Sequence, residues 1–265
     1  MKRITLGILL LFTFIPFNGF GETLIEPSDW KAGWRDLEVE MLQFINRERI
    51  RLKVSELQMD SLTREVARRH SLDMEERNYV GHETPEGWTP QDRLYDLNVY
   101  ASVYGENVAK HLTITGAHQG LMTSIEHRRN ILNPHFTHAG IGILQGKDGY
   151  LYITQNFIKK IERVDLDWAK REILFQLNKE EDPLLSKIAE EHSRKIFEKD
   201  EVKIPVPELE QKAKIFTWCG PYLEDFLEIE EVKRTEGSNI GIGILQGSSR
   251  KHGTGILWIT LIIAE

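Results

Sequence analysis

The segment LMTSIEHRRNILNPHFTHAGIGILQGKDGYLYITQNF, which runs from Leu121 to Phe157, contains three structural signals in succession. An amphipathic stretch ends in the polar residues 127–130, and Asn133-Pro134 then favours an extended or turn conformation, because proline disfavours a helical predecessor. Two apolar runs follow, and residues 146–149 between them include an Asp-Gly pair. This pattern predicts a helix end, a turn and a β-hairpin. Polar side chains at the mouth of a rigid sheet often build functional sites, so we expect such a site near this segment.

Length, charge and cysteine content exclude several classes of protein. The 265 residues can form one large domain or two modest ones with a normal core. A formal net charge of -7, with no local basic cluster, argues against a nucleic-acid-binding protein, which needs a basic surface for phosphate contacts. The single cysteine, Cys219, cannot form an internal disulfide, and its aromatic neighbours indicate a small buried hydrophobic residue rather than a nucleophile.

The N-terminal residues differ from the rest of the chain. Lys2 and Arg3 precede an apolar run from Ile4 to Phe17, which is typical of a secretory signal and too short for a membrane span. A buried N-terminal helix or strand is the alternative. We therefore predict a signal peptide over residues 1–21, export to the periplasm or the extracellular space, and no transmembrane span after signal cleavage.

Hydrophobic periodicity predicts the elements that precede the opening segment. Apolar residues at helical spacing indicate a first helix from about residue 37, and a second helix begins at residue 60 or 61 and places His70 on its apolar face. A loop over 78–91 holds His82. Further along we predict a short helix over 90–97, a β-like run over 99–108 in which Gly105 permits a sharp turn that aims Glu106 and Asn107, and a helix over 116–124.

The second half of the chain repeats parts of the first half in the same order. Gly-Ile-Gly-Ile-Leu-Gln-Gly stands at 140–146 and again, without a change, at 241–247. Leu-Tyr-Ile-Thr at 151–154 has a partner in Leu-Trp-Ile-Thr at 257–260, and Ala-x-x-His-Ser occurs at both 67–71 and 189–193. We therefore interpret residues 162–265 as a shortened second copy of the first domain, after a boundary at about Ile158 to Asp165.

Three polar motifs stand at predicted loops or element ends of the first half: Gly81-His82, Gly105-Glu106-Asn107 and Glu126-His127-Arg128. Two imidazoles and a carboxylate are the ingredients of either a divalent-metal site or a general-base pair. Their separations along the chain match no compact ligand motif, so the spacing alone does not choose between these two chemistries.

A series of short motifs runs through the first half: Asn46-x-x-Arg49, Ala67-x-x-His70-Ser71-x-x-Met74, Asn78-Tyr79-x-Gly81-His82, Gly105-Glu106-Asn107, Ser124-x-x-His127-Arg128-x-Asn130-Ile131-Leu132, Gly140-Ile141-Gly142 and Thr154-Gln155-Asn156-Phe157. In this order they resemble the CAP superfamily of cysteine-rich secretory, antigen 5 and pathogenesis-related 1 proteins (also called SCP/TAPS), in its bacterial secreted branch. The resemblance covers about residues 35–158. It is specific, because many separate motifs agree.

The resemblance implies an α+β fold, an α-β-α sandwich with a central cavity. In the family this cavity holds two histidines and acidic residues that can bind a divalent cation, often zinc. By motif, the candidate metal ligands are His82, His127 and Glu106. The second acidic position falls near Ser124, so water or Glu126 would have to complete the site. Four further residues are expected to support the cavity: His70 as a core histidine, Asn107 and Asn130 through backbone bonds, and Arg128 through a carboxylate.

These interpretations divide the chain into a signal peptide over 1–21, a CAP domain over 35–158 and a degenerate CAP-like repeat over 162–265. The repeat lacks equivalents of His82, Glu106 and His127, so we expect it to be structural or to offer a surface to a partner. We favour an exported protein that binds rather than catalyses. Its expected ligand is a divalent cation, zinc first and magnesium or calcium as alternatives, with or without a small molecule, a lipid, a glycan or a protein partner.

Two other functions stay open. A metal-assisted hydrolase, either a peptidase or an esterase, would use the same cavity, with His82 and His127 on the cation and Glu106 as the catalytic base. A purely structural envelope-interaction module would carry these residues as relics. The sequence contains no Gly-x-Ser-x-Gly motif, which argues against a serine hydrolase. No residue is predicted to bind an organic cofactor, and neither the natural ligand nor the oligomeric state follows from the sequence.

Overall fold

The structure is a computed structural model that describes residues 30–209, 213–234 and 239–264. The predicted signal peptide over 1–21 lies outside the described residues. Within the described parts, the chain forms a first α+β unit over 30–160 and a second over 166–264, joined by residues 161–165. None of the helices found there is both long and apolar enough to cross a membrane.

The first unit is a mixed sheet with helices on both faces. In chain order, its elements are α1 (Ala32–Arg51), β1 (Gln58–Met59), α2 (Ser61–Glu76), α3 (Pro90–Asp96), β2 (Ala101–His111), α4 (Ile114–Thr123), α5 (Ile125–Leu132), β3 (His138–Gln145) and β4 (Leu151–Lys160). β3 and β4 form the predicted antiparallel hairpin, with Gly149 at a φ of 83° in its turn. β2 pairs with β4, and β1 pairs parallel with β3, so the strand order is β1-β3-β4-β2.

Helices cover this sheet on both sides. On one face, Met41 of α1 packs with residues of α4 and α5 against inward side chains of the hairpin such as Ile143 and Ile153. On the other face, α2 covers β3 and β4, and its Met74 packs with Tyr152 of β4. Strand β4 is therefore buried from residue 151 to 158, as expected for a strand between two helical layers. The predicted α+β class and α-β-α sandwich are confirmed.

Two glycines let α2 lie directly against β3. A Cβ atom at Gly140 would overlap the backbone of Thr63, and a Cβ at Gly142 would overlap the backbone of Ala67. Ser71, one turn further along α2, donates a hydrogen bond to the carbonyl of Gly142 at 2.9 Å. The Gly-x-Gly pair therefore sets the distance between the helix and the sheet.

The second unit repeats the order of the first. Its elements are α6 (Leu166–Leu177), β5 (Glu180–Glu181), α7 (Pro183–Glu198), a 3-10 turn (Pro207–Leu209), β6 (Ala213–Gly220), α8 (Leu223–Leu227), α9 (Glu230–Lys233), β7 (Asn239–Ser249) and β8 (Gly253–Ala264). Its strand order, β5-β7-β8-β6, matches that of the first sheet position by position. Gly241 and Gly243 admit α7 as the first glycine pair admits α2, and Ser193 donates to the carbonyl of Gly243 at 2.8 Å. This shared order supports the predicted second copy.

Two local predictions are wrong. Gly105 makes no sharp turn, because β2 continues through it in pairing with β4. A glycine is required there for space instead, since a Cβ would lie 2.9 Å from the ring of Phe136 and 3.1 Å from the side-chain oxygen of Asn130. Residues 127–130 do not mark the end of the preceding helix either. They form the body of a separate helix, α5, which follows α4 at Ser124.

The glycine contact can be tested by substitution. We expect Gly142→Ala to lower the free energy of unfolding by at least about 1–3 kcal/mol, because α2 must move away from β3 to admit the methyl group. Chemical denaturation measures this change. The control is Gly120→Ala in α4, where a Cβ would meet no atom within 4 Å and the helix should gain stability. Equal stability of the two variants would contradict the close approach.

Candidate functional site

A buried carboxylate stands at the centre of the predicted site. Glu106 lies in the middle of β2, and its side chain is only 1% exposed. Its Oε1 accepts a hydrogen bond from Nδ1 of His82 at 3.0 Å, and its Oε2 accepts one from Nη2 of Arg93 at 2.7 Å. The structure therefore brings two of the three predicted metal ligands, His82 and Glu106, into direct contact.

Arg93 organises this contact and was missed in the sequence. It lies in α3 with a side chain that is 5% exposed. Besides Glu106, its guanidinium donates to the carbonyls of His82 at 2.9 Å and Trp88 at 3.1 Å, so one cation holds both the carboxylate and the histidine loop. A sequence signal was available, because Arg93 precedes Leu97 by one helical turn and so falls on the apolar face of the predicted short helix.

The ring of His82 is oriented by these bonds and still open to solvent. A carboxylate can only accept, so Nδ1 carries the hydrogen and Nε2 is the edge that remains for a ligand. The side chain is 49% exposed. The hydrogen bond to Glu106 raises the pKa of His82 above its ordinary value, against the opposing effect of partial burial.

His70 supports the same loop from inside. Its Nε2 donates to the carbonyl of Gly81 at 2.9 Å, and its ring is almost completely buried in α2. Burial lowers the pKa of His70, which keeps the ring neutral. Nδ1 of His70 and Nε of Arg93 are buried with no hydrogen-bond partner among the described residues, and both residues line a void of about 20 Å³, enough for one water. His70 therefore lies in the core of the unit and holds the loop that carries His82.

An amide network attaches α5 to the site strand. Nδ2 of Asn107 donates to the carbonyl of His127 at 3.2 Å and to Oε1 of Gln155 at 3.0 Å. Nδ2 of Asn130 donates to the carbonyl of Glu106 at 3.0 Å and to Oδ1 of Asn107 at 2.9 Å. Each asparagine therefore bonds one backbone carbonyl across the site, and together they fix the place of His127 relative to Glu106.

His127 lies near His82 but outside the hydrogen-bonded group. Burial lowers the pKa of His127, and a charge on His82 lowers it further. Its neighbours are on the surface: Glu126 is exposed, and Arg128 is exposed and donates to the carbonyl of Met122 at 3.2 Å. The contact recorded for Arg128 is thus with a backbone carbonyl, whereas a carboxylate partner was predicted.

Residues 42–157 match the family model for "CAP: Cysteine-rich secretory protein family". The first unit is a CAP domain. The matched range contains every residue of the site described above, and it lies within the predicted span of 35–158.

Bacterial proteins share this similarity. The uncharacterised protein YkwD of Bacillus subtilis (strain 168) is 36% identical over 124 residues, and the uncharacterised membrane protein YlbC of the same organism is 34% identical over 137 residues. The matches cover 46% and 51% of this chain, and only 47% and 38% of the relatives, so the chain spans about half or less of their length. A solved extracellular protein with an SCP domain from Bacillus anthracis str. Ames is 35% identical, with a TM-score of 0.46, over 51% of this chain and 44% of its own.

The side chains of the CAP domain are better arranged to give a metal ion two imidazole ligands than to give it three protein ligands. Within 30–209, 213–234 and 239–264, no three His, Cys, Asp or Glu side chains are grouped closely enough to hold a metal ion. Both oxygens of Glu106 are already bonded, one of them to an arginine. Direct ligation of a metal by Glu106 therefore stays a prediction. In this geometry Glu106 accepts the N–H of a histidine whose other ring nitrogen is free to bind a metal.

The second unit has apolar residues where the CAP domain has its site. The repeat aligns Thr154 with Thr260, and therefore Asn156 with Ile262, two residues later. Asn156 pairs with Glu106 on the neighbouring strand, whereas Ile262 pairs with Ile215, so Ile215 stands at the position of Glu106. His192 donates to the carbonyl of Ile204 at 2.8 Å, just as His70 donates to the carbonyl of Gly81. Pro205 follows Ile204 as His82 follows Gly81, so Pro205 takes the place of His82. The second unit thus has Ile215 and Pro205 at the places of Glu106 and His82.

The pairing of His82 with Glu106 has a measurable electrostatic effect. We expect Glu106→Gln to lower the pKa of His82, because an amide stabilises the imidazolium less than a carboxylate does. In the wild type the His82–Glu106 bond stabilises the fold fully at pH values below the ordinary histidine pKa. This contribution to the free energy of unfolding is lost as the pH rises through the raised pKa of His82. NMR titration of the ring measures it, with exposed His135 as internal reference. An unchanged His82 titration in the variant would contradict the pairing.

Proposed function

We propose that this chain is an exported binding protein whose CAP domain takes up a divalent cation, zinc first, at the Nε2 edge of His82. The observation that carries the proposal is the arrangement Arg93–Glu106–His82, in which two buried charged groups hold one half-exposed imidazole. Burying an ion pair is costly, and a hydrophobic replacement is often neutral or stabilising. The arrangement is therefore better explained by the orientation of His82 than by stability.

The same arrangement is how proteins commonly prepare a histidine for a metal. A ligating imidazole donates its other ring N–H to a carboxylate, which fixes the tautomer and makes the free nitrogen more basic. His82 has this partner in Glu106. His127 would supply the second imidazole, and its lowered pKa favours the neutral form that a metal requires. Water or an additional ligand, such as a small molecule or a partner group, would complete the coordination.

Binding fits this geometry better than hydrolysis does. A general base needs an oxygen or nitrogen within hydrogen-bond reach of the water that it activates. Both oxygens of Glu106 are engaged, and its side chain is 1% exposed, so it is poorly placed for the catalytic role considered for it.

Export is part of this proposal. Its support is the N-terminal sequence, in which Lys2 and Arg3 precede the apolar run Ile4 to Phe17. The cysteine content is compatible with export, because a single cysteine cannot form a wrong internal disulfide in an oxidising compartment.

Zinc titration by calorimetry tests the cation site. We expect the protein to bind zinc, and His82→Ala and His127→Ala each to weaken binding by at least about 10-fold, because each removes a ligand. Glu106→Gln should weaken it by about 10–100-fold, the usual effect of losing a carboxylate behind a ligating histidine. His135→Ala, which removes an exposed histidine elsewhere on the domain, is the matched control. Equal affinity in all four variants would refute the cation site.

A further inference from the structure

The contact between helix and hairpin is the same in the two units. The Gly-Ile-Gly-Ile-Leu-Gln-Gly stretch that receives α2 in the first unit also receives α7 in the second. A Cβ on its second glycine would meet the backbone of Ala67 and Arg68 in one unit, and that of Ala189 and Glu190 in the other. The serine one turn later bonds the carbonyl of this glycine in both units. This contact therefore cannot distinguish α2 from α7, and it gives Arg68 and Glu190 the same place.

An ion pair beside this contact joins the two helical layers of the first unit. Nε of Arg68 in α2 donates to Oε1 of Glu38 in α1 at 2.8 Å, and Nη2 donates to Oε2 at 2.6 Å. The two side chains are 4% and 0% exposed. The first helix of this unit thus supplies the acidic partner, and the helix against the glycines supplies the basic one.

The second unit has an ion pair at the same place with the charges exchanged. Lys170 of α6 donates to Oε1 of Glu190 in α7 at 3.2 Å, and it also pairs with Glu181 of β5 at 2.5 Å. Helix α6 precedes β5 as α1 precedes β1, so Lys170 stands where the first unit has Glu38. Here the first helix supplies the basic partner, and the helix against the glycines supplies the acidic one.

The exchange of charges makes wrong combinations of helices unfavourable. If α7 took the place of α2 beside α1, Glu190 would face Glu38. If α2 took the place of α7 beside α6, Arg68 would face Lys170. Like charges brought together at an interface are strongly unfavourable, above all where they are removed from water. Only the combinations seen in the structure bring opposite charges together.

From these features we propose that the charge-reversed pairs Glu38–Arg68 and Lys170–Glu190 determine which helix covers which sheet as the chain folds. Repeated units are prone to misassembly and to exchange of equivalent elements, within one chain or between two. The identical hairpin sequence creates that hazard here, and the two pairs remove it. The best-attested role of a buried ion pair is likewise to select one arrangement over another. Because α2 carries His70, which holds the loop of His82, correct pairing is also a condition for the site.

The test reverses the second pair in the full chain, because the side chain of Glu190 is 55% exposed and tolerates exchange. Lys170→Glu combined with Glu190→Lys leaves the net charge unchanged and keeps two acids and one base around Glu181. Every combination of the four helices then brings opposite charges together. We expect the yield of native monomer after refolding from denaturant to fall at least about 2-fold, because wrong pairings are no longer excluded.

Chemical cross-linking identifies the wrong pairing directly. A carbodiimide joins a lysine to a carboxylate that it contacts, and mass spectrometry of the digested protein identifies the two positions. In the refolded native monomer of the variant, we expect the lysine introduced at position 190 to be linked to position 170. In the misassembled fraction we expect it to be linked to Glu38. Every soluble and aggregated fraction is analysed, so a variant that refolds poorly still gives a result.

A matched control reverses an exposed pair of the same unit. Glu228→Lys combined with Lys233→Glu exchanges the same charges away from the helix layers, and it should refold with the yield of the wild type. A wild-type yield for the variant of the second pair would overturn the proposal. A lower yield without any link between position 190 and Glu38 would show that the pair only stabilises its own unit, and would equally overturn it.

Discussion

The close approach of a helix to a strand, made by two glycines, is the constraint on which the rest of the first unit depends. Gly140 and Gly142 admit α2 against β3, and this places His70 and Ser71 at the sheet. From there His70 donates a hydrogen bond to the carbonyl of Gly81. The next residue of the loop, His82, is thereby held where it can bond Glu106. The same order of contacts, from glycine pair to helix to histidine to loop carbonyl, recurs in the second unit. The hydrophobic layers make the fold stable, but this chain of short contacts determines where the loop lies.

The two units together separate what the fold needs from what the site needs. At the position of Glu106 the second unit has Ile215, in a small apolar cluster with Ile262 and Leu185. Both arrangements are accommodated by the same strand order. Since a hydrophobic residue serves the fold at least as well as a buried ion pair does, the fold itself does not require the Arg93–Glu106 pair.

Much of this organisation could be predicted from the sequence, because it rests on local pattern and on repetition. Alternation and an Asp-Gly turn were sufficient for the β3–β4 hairpin, and the repeated Gly-Ile-Gly-Ile-Leu-Gln-Gly pointed to a second unit of the same order. The role of Gly105 could not be predicted, since it depends on Phe136 and Asn130, which approach only in the folded chain. The helical spacing placed Arg93 on the apolar face of the short helix, but its role could not be predicted, because its partners Glu106 and the carbonyl of His82 lie more than ten residues away in the sequence. The docking of the second unit on α3 and β2 could not be predicted either, because no local pattern encodes the bonds of Ser248 with Tyr95 and of Thr254 with Ala101.

Helix α3 is short, since it runs only from Pro90 to Asp96. The side chains of neighbouring residues on it point in opposite directions. Arg93 reaches inward to Glu106, while Asp92 and Tyr95 reach outward to Arg250 and Ser248. A capping box at Thr89 and Asp92 ties its first turn together, so the helix has little freedom to bend between its two sets of contacts. The histidine loop and the second unit are therefore mechanically joined through less than two turns of helix. Any energetic coupling carried by this joint acts equally in both directions, as equilibrium linkage requires.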